Sequence, residues 1–138
     1  MKLGYYRAAS TISEEKLQYY KEYLKHFGAE KIYIETNQHG RTSNRPVLLK
    51  LLKEAKRGDT IITPTTDRLG RRLITVNSIL KKAEKKGIYI LFPKEENLKN
   101  SIILRNYIDN LYKFEKKAQK ITNKIEAEIE KHTDKHNQ

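Results

Sequence analysis

The sequence predicts an α/β protein: a mostly parallel sheet of four to five strands, flanked by helices and followed by one long C-terminal helix. Three observations lead there. Short runs rich in β-branched and aromatic residues alternate with segments whose apolar positions recur every three or four residues, and that alternation implies right-handed crossovers and a parallel sheet. Glycine or proline stands at most of the junctions between them. From Ser101 to Lys131 neither occurs, so that stretch reads as one uninterrupted helix.

Lys2 to Arg7 is the first strand, with Leu3 and Tyr5 on one face and Tyr6 on the other. Thr11-Ile-Ser-Glu14 has the spacing of a capping box, and the helix after it carries Leu17, Tyr20, Leu24 and Phe27 on one stripe before Gly28. Lys31 to Glu35 is the second strand. Thr36 to Asn44 contains no apolar residue and is expected to be an exposed, mobile loop. Pro46 suits the first turn of a second helix, VLLKLLKEAKR, which Gly58 is expected to end. Asp59 to Thr63 is the third strand, and the polar turn from Pro64 to Arg72 leads to a third helix with Leu73, Val76, Ile79, Leu80 and Ala83 in one stripe, closed by Gly87. Ile88 to Phe92, almost wholly apolar, reads as a strand covered on both faces. In the last third, Leu104, Ile108, Leu111, Ala118, Ile125 and Ile129 follow alternating three- and four-residue steps once Glu115 and Thr122 are counted in register. Such a seam, on a helix of roughly 45 Å at 1.5 Å per residue, suits a partner helix from a second copy of the chain or packing along its own domain. The expected organisation is therefore an α/β domain over 1–100, the long helix over 101–131 and a frayed tail over 132–138.

Composition narrows the function. The 138 residues suit one domain, and 37% hydrophobic with 33% charged is too apolar for a disordered chain and too polar for a membrane one. No apolar run approaches the roughly 20 residues needed to cross a bilayer, and MKLGYYRAAS lacks the apolar core of a signal peptide, so a cytoplasmic chain is expected. With no Cys, and with His26, His39, His132 and His136 at no ligand spacing, no metal site is expected. The net charge of +12 favours a polyanionic partner, or else lysines that only solvate helix faces.

Ligands of a parallel α/β sheet collect beyond the carboxyl ends of the strands. Three polar segments should meet there and bring Arg7, Arg45, Arg68, Arg71 and Arg72 towards one surface with a single carboxylate, Asp67. Planar, permanently charged guanidiniums grip phosphate oxygens in pairs, so the cluster suits a phosphodiester; scattered surface arginines are the plainer reading.

Gly4-Tyr-Tyr-Arg-Ala-Ala-Ser-Thr11, Asn44-Arg-Pro46, Arg57-Gly-Asp-Thr60 and Thr66-Asp-Arg-Leu-Gly-Arg71, with Gln18 and Phe114-Glu-Lys116, resemble the catalytic domain of the serine recombinases, the resolvase/invertase family. The resemblance implies cleavage of both strands of paired double-stranded DNA sites through 5′-phosphoserine links, exchange by subunit rotation in a tetramer formed from two homodimers, and resealing without metal, nucleotide or other cofactor. It also implies a bacterial-type, nucleoid-associated location. Arg7, Arg45, Arg68 and Arg71 would bind or activate the scissile phosphate, Asp67 would orient the arginines or assist proton transfer, and Gln18 would be accessory. Leu104, Ile108, Leu111, Glu115, Ala118 and Ile125 would line the dimer helix. Lys116, Lys117, Lys120, Lys124 and Lys131, with Arg72, would follow the DNA backbone.

One position departs from the family pattern Tyr-x-Arg-x-Ser: Ala9 stands where the serine nucleophile belongs. Ser10 is the alternative nucleophile, but on an extended strand it faces away from Arg7 unless a bulge turns it inward. A deliberate Ser-to-Ala change, a naturally inactive regulatory relative and such a bulge are the three explanations. A protein dimerisation module that never meets DNA is the rival outside recombination. No sequence resembling the family's usual helix-turn-helix reader follows the long helix, so the chain is expected to be a catalytic fragment or to rely on another protein to find its site.

Overall fold

The structure, a computed structural model, describes residues 1–9, 11–37 and 45–136. The order is β1 (Lys2–Ala9), α1 (Glu14–His26), β2 (Lys31–Asn37), α2 (Pro46–Glu54), β3 (Thr60–Ile62), a 3-10 turn (Thr66–Arg68), α3 (Leu73–Lys86), β4 (Tyr89–Leu91) and α4 (Ser101–His136). The four strands form one parallel sheet in the order β2-β1-β3-β4. The chain divides into two compact units, Met1–Arg105 and Asn106–Gln138.

β1 is longer than expected and carries the sheet's architecture. It pairs with β2 along Leu3–Ala9, but with β3 only along Lys2–Gly4. Among the described residues, no strand pairs with the β3-facing edge of β1 beyond Gly4. That step lies at the topological switch, where the connection through α2 crosses back over β1, and crevices in open parallel sheets form at such points. Tyr6 and Ala8 pack with Leu24 and Ile62 in the α1-side core. Leu3, Tyr5 and Arg7 alternate onto the opposite face.

Helix ends explain where the sequence reading was displaced. Ser13, not Thr11, caps α1: its hydroxyl accepts from the Lys16 N–H at 3.2 Å. α2 stops at Glu54, ahead of Gly58, because Ala55 turns extended and becomes buried, while Lys86 Nζ takes the carbonyls of Leu52 and Lys53 at 2.7 and 2.6 Å. Gly58 instead serves the turn into β3 at φ +91°. Gly87 closes α3 in the left-handed conformation, φ 76°, as expected. Leu73, assigned to the α3 stripe, is exposed, whereas Val76, Ile79, Leu80 and Ala83 are buried. α4 starts on Asn100, whose Oδ1 accepts from the Ile103 N–H at 2.9 Å, and continues to His136, past Lys131. No helix among the described residues is long and apolar enough to cross a membrane.

Candidate active site

The carboxyl ends of β1 and β2 meet the start of α2 and the 3-10 turn at one place, and the charged residues concentrate there. Arg7, near the end of β1, is buried and lies in register with Glu35 of β2. Glu35 is 1% exposed, and a carboxylate so deep must have donors. The Tyr5 hydroxyl donates to Oε2, and the Val47 N–H, in the first turn of α2, donates to Oε1 at 3.0 Å. Glu35 therefore ties the end of the sheet to the start of α2. Burial, reinforced by the Glu35 hydrogen bond and charge, pushes the Tyr5 phenol well above its ordinary range.

Arg45 immediately precedes α2 and is 6% exposed. Its Nη1 donates to the Arg68 carbonyl at 3.3 Å, and Arg68 Nη1 donates to the Arg7 carbonyl at 3.0 Å. Arg68 thus occupies the edge of β1 that β3 leaves uncovered. Two buried guanidinium donors, Arg45 Nε and Arg68 Nε, have no hydrogen-bond partner among the described residues. The Arg7 guanidinium is held below its ordinary pKa by burial first and then by the nearby charges of Arg45 and Arg71. Three like charges near one point favour an anion between them.

The 3-10 turn carries Asp67 and Arg68 and is pinned from two sides. The Thr65 hydroxyl donates to Asp67, and Glu95 Oε1 accepts from the Thr66 N–H at 3.0 Å and the Thr66 hydroxyl at 3.2 Å. Asp67 and Arg71 are exposed; Arg72, also exposed, precedes α3 and its carbonyl accepts from the Val76 N–H at 3.1 Å. Ala9 ends β1, exposed, on the same side of the strand as Arg7. Ser10 and most of the polar loop, residues 38–44, lie outside the described residues. Gln18 is exposed on α1 and its amide donates to Glu22 at 2.9 Å. The structure thus joins Arg7, Arg45, Arg68 and Arg71, sets Asp67 on the same turn as Arg68, and gives Gln18 a partner on its own helix. Among the described residues no group of three or more His, Asp or Glu side chains is placed to hold a metal ion.

Along α4, Leu104 and Ile108 are buried, Leu111 and Ala118 partly buried, and Glu115 exposed. Ile121, Ile125 and Ile129 are 59%, 55% and 58% exposed, so an apolar row remains uncovered on the distal part of the helix. Lys116, Lys117, Lys120, Lys124 and Lys131 are exposed, and Lys131 lies 3.8 Å from Glu128.

Sequence reading missed Tyr5, Glu35 and Glu95 as site residues. An acid at the carboxyl end of β2 was a usable signal for Glu35, because the neighbouring strand ends close to Arg7. Glu95 gave none, since the loop after β4 has no pattern that aims it at Thr66.

Arginines gathered beyond the carboxyl ends of a parallel sheet, beside one exposed carboxylate, define an α/β domain whose site suits an anionic oxygen ester. The chain belongs to the resolvase family of serine recombinases, and corresponds to its catalytic domain: the family profile "Resolvase, N terminal domain" matches residues 2–135. It is 33% identical over 88 residues to the transposon Tn552 resolvase of Staphylococcus aureus, covering 64% of this chain and 43% of that protein. The match to the Tn552 DNA-invertase BinR of the same organism is 32% over 88 residues, covering 64% and 44%. The chain spans less than half the length of these relatives. The fold is shared with the first ORF of transposon ISC1904 from Sulfolobus solfataricus P2, with a TM-score of 0.56 and 20% identity over 87% of this chain and 86% of that one. It is also shared with the catalytic domain of the IS607-like serine recombinase ISC1926 TnpA, with a TM-score of 0.55, 20% identity and 67% of each chain covered.

Proposed function

We propose that the chain acts in site-specific DNA recombination, with its arginine cluster gripping one phosphodiester and with cleavage withheld by the alanine at position 9. The observation that carries this reading is the linked set Arg7, Arg45 and Arg68 at the end of β1, beside Ala9. The guanidiniums would neutralise charge developing on the phosphoryl oxygens, a role for fixed, desolvated donors. Residue 9 shares the Arg7 side of the strand, which supports Ala9 as the nucleophile position; a methyl group cannot attack phosphorus. Arg71 adds charge to the cluster, Asp67 orients it or moves a proton, and Gln18 is accessory. The partner is double-stranded DNA, with the distal α4 row joining two copies and the α4 lysines following the backbone.

The deciding experiment restores Ala9→Ser, makes Ser10→Ala separately, and looks for covalent protein–DNA adducts on plasmids carrying the DNA that flanks the coding sequence. Ala9→Ser is expected to produce adducts and the parent none. Adducts in the parent that Ser10→Ala abolishes would overturn the assignment of position 9. The alanine itself favours a second reading, a cleavage-dead DNA-bound regulator. That reading predicts salt-sensitive DNA binding and no adduct even after Ala9→Ser.

A further inference from the structure

Tyr6 is 2% exposed on the α1 side of β1, away from Arg7, yet its ring touches the site through Arg68. The Arg68 guanidinium carbon lies over that ring, 4.7 Å from its centroid. Tyr20 of α1 stacks on Tyr6 with centroids 4.1 Å apart and planes 18° from parallel. Lys94 Nζ in turn sits 4.9 Å from the Tyr20 centroid. Two cations therefore bracket an aromatic pair, in a run from Arg68 through Tyr6 and Tyr20 to Lys94.

The physical effect on Arg68 is specific. A guanidinium over a ring face is held by the quadrupole without using any N–H, so the in-plane donors stay available for an anion. One of them, Nη1, is fixed on the Arg7 carbonyl, at the uncovered edge of β1. A hydrogen bond in the plane and an aromatic face beneath it together set both the position and the tilt of the group. A long, rotamer-rich arginine on a short turn otherwise loses much of its entropy when it closes on a ligand.

We propose that Tyr6 is a positioning residue for Arg68, its ring holding the guanidinium in the plane from which it reaches a phosphodiester oxygen. The proposal rests on the recombinase reading for its substrate, but the Tyr6–Arg68 pairing can be measured without it. Tyr20 and Lys94 complete the platform from the far side. Burial raises the Tyr6 phenol to about 12 while the Arg68 charge pulls the other way, so the ring is neutral at physiological pH.

The test pairs a spectroscopic readout with a kinetic one. In the ¹H–¹⁵N spectrum of arginine side chains, the Arg68 Nε–H signal, assigned through Arg68→Lys, should be shifted upfield by the ring in the parent and in Tyr6→Phe, and should return to the ordinary position in Tyr6→Leu. An unshifted Arg68 signal in the parent overturns the proposal even if Tyr6→Leu fails to fold. In the Ala9→Ser background, Tyr6→Leu should slow single-turnover adduct formation by about 2- to 30-fold at unchanged DNA affinity, the range of a cation–π interaction, with Tyr6→Phe close to the parent. Equal rates for Leu and Phe also overturn it. If Ala9→Ser forms no adduct, the recombinase reading fails, while the Arg68 signal still decides whether Tyr6 holds the guanidinium.

Discussion

Glu35 is a carboxylate kept almost wholly out of water while accepting from donors on two different elements, the Tyr5 hydroxyl of β1 and the Val47 N–H of α2. Removing one donor should expose the cost of burying the charge. Tyr5→Phe takes from Glu35 the donor it has on β1, leaving the Val47 N–H in place, and is expected to lower stability by about 1–3 kcal/mol in urea unfolding. The same variant should change the alkaline limb. The Tyr5 phenol is raised in the folded state, so its contribution is fully present below its ordinary pKa near 10 and is lost as pH rises towards the folded value. Tyr5→Phe should therefore make stability fall less steeply above about pH 10. Tyr6, Tyr23 and Tyr33 are raised too, so part of the slope will remain. An unchanged slope would mean that Tyr5 is not coupled to folding in this way. At this scale the arginines were legible because their residue type and place in the chain declare them. Glu35 was not, because its burial depends on Tyr5, 30 residues away.

Among the elements, the 3-10 turn that carries Asp67 and Arg68 has no buried residue of its own and is tied down by Glu95 through Thr66 and by Arg68 through the Arg7 carbonyl. Glu95→Ala should leave the sheet intact but loosen the turn. Amide exchange at Thr66 is expected to quicken by about tenfold, matching the removal of a hydrogen bond to a charged group. Exchange that stays at the parent's rate would show that the turn is held by other groups. The cap of α1 is a second case. Ser13→Ala should cost about 0.5–2 kcal/mol, whereas Thr11→Ala should cost little, since Thr11 lies outside the helix. Equal losses would restore the capping box that the spacing suggested. Elements with strong periodicity, such as α3 and its Gly87 stop, fell where the sequence put them. Ends set by distant groups did not: α2 stops where Lys86 reaches its carbonyls.

For the whole molecule, two basic groups stand out within the +12 net charge: the arginine cluster at the sheet end and a row of lysines on α4. If those lysines track a duplex, replacing Lys116, Lys120 and Lys124 together by Gln should flatten the salt dependence of DNA binding by about 0.9 in log–log slope for each phosphate no longer neutralised. A slope equal to the parent's would assign the lysines to solvation. Self-association is tested on the exposed part of the seam. Ile125 is 55% exposed, so Ile125→Asp should not disturb the fold, and it should lower the sedimenting mass of a dimeric parent. Ile108 is a poorer probe because it is not exposed.

By itself the sequence determined the order of strands and helices, the parallel sheet, the long helix, and the meeting of Arg7, Arg45, Arg68 and Arg71 beyond the strand ends. Those follow from local periodicity and from the one hand that crossovers between parallel strands adopt. Tertiary structure alone decided that Glu35 would anchor α2, that Glu95 would hold the turn, and that Tyr6 would support Arg68 from the other face of β1. The reason is the unequal length of the strands: β3 pairs with β1 only as far as Gly4, and Arg68, 61 residues from Arg7 in the chain, occupies the edge left beyond it.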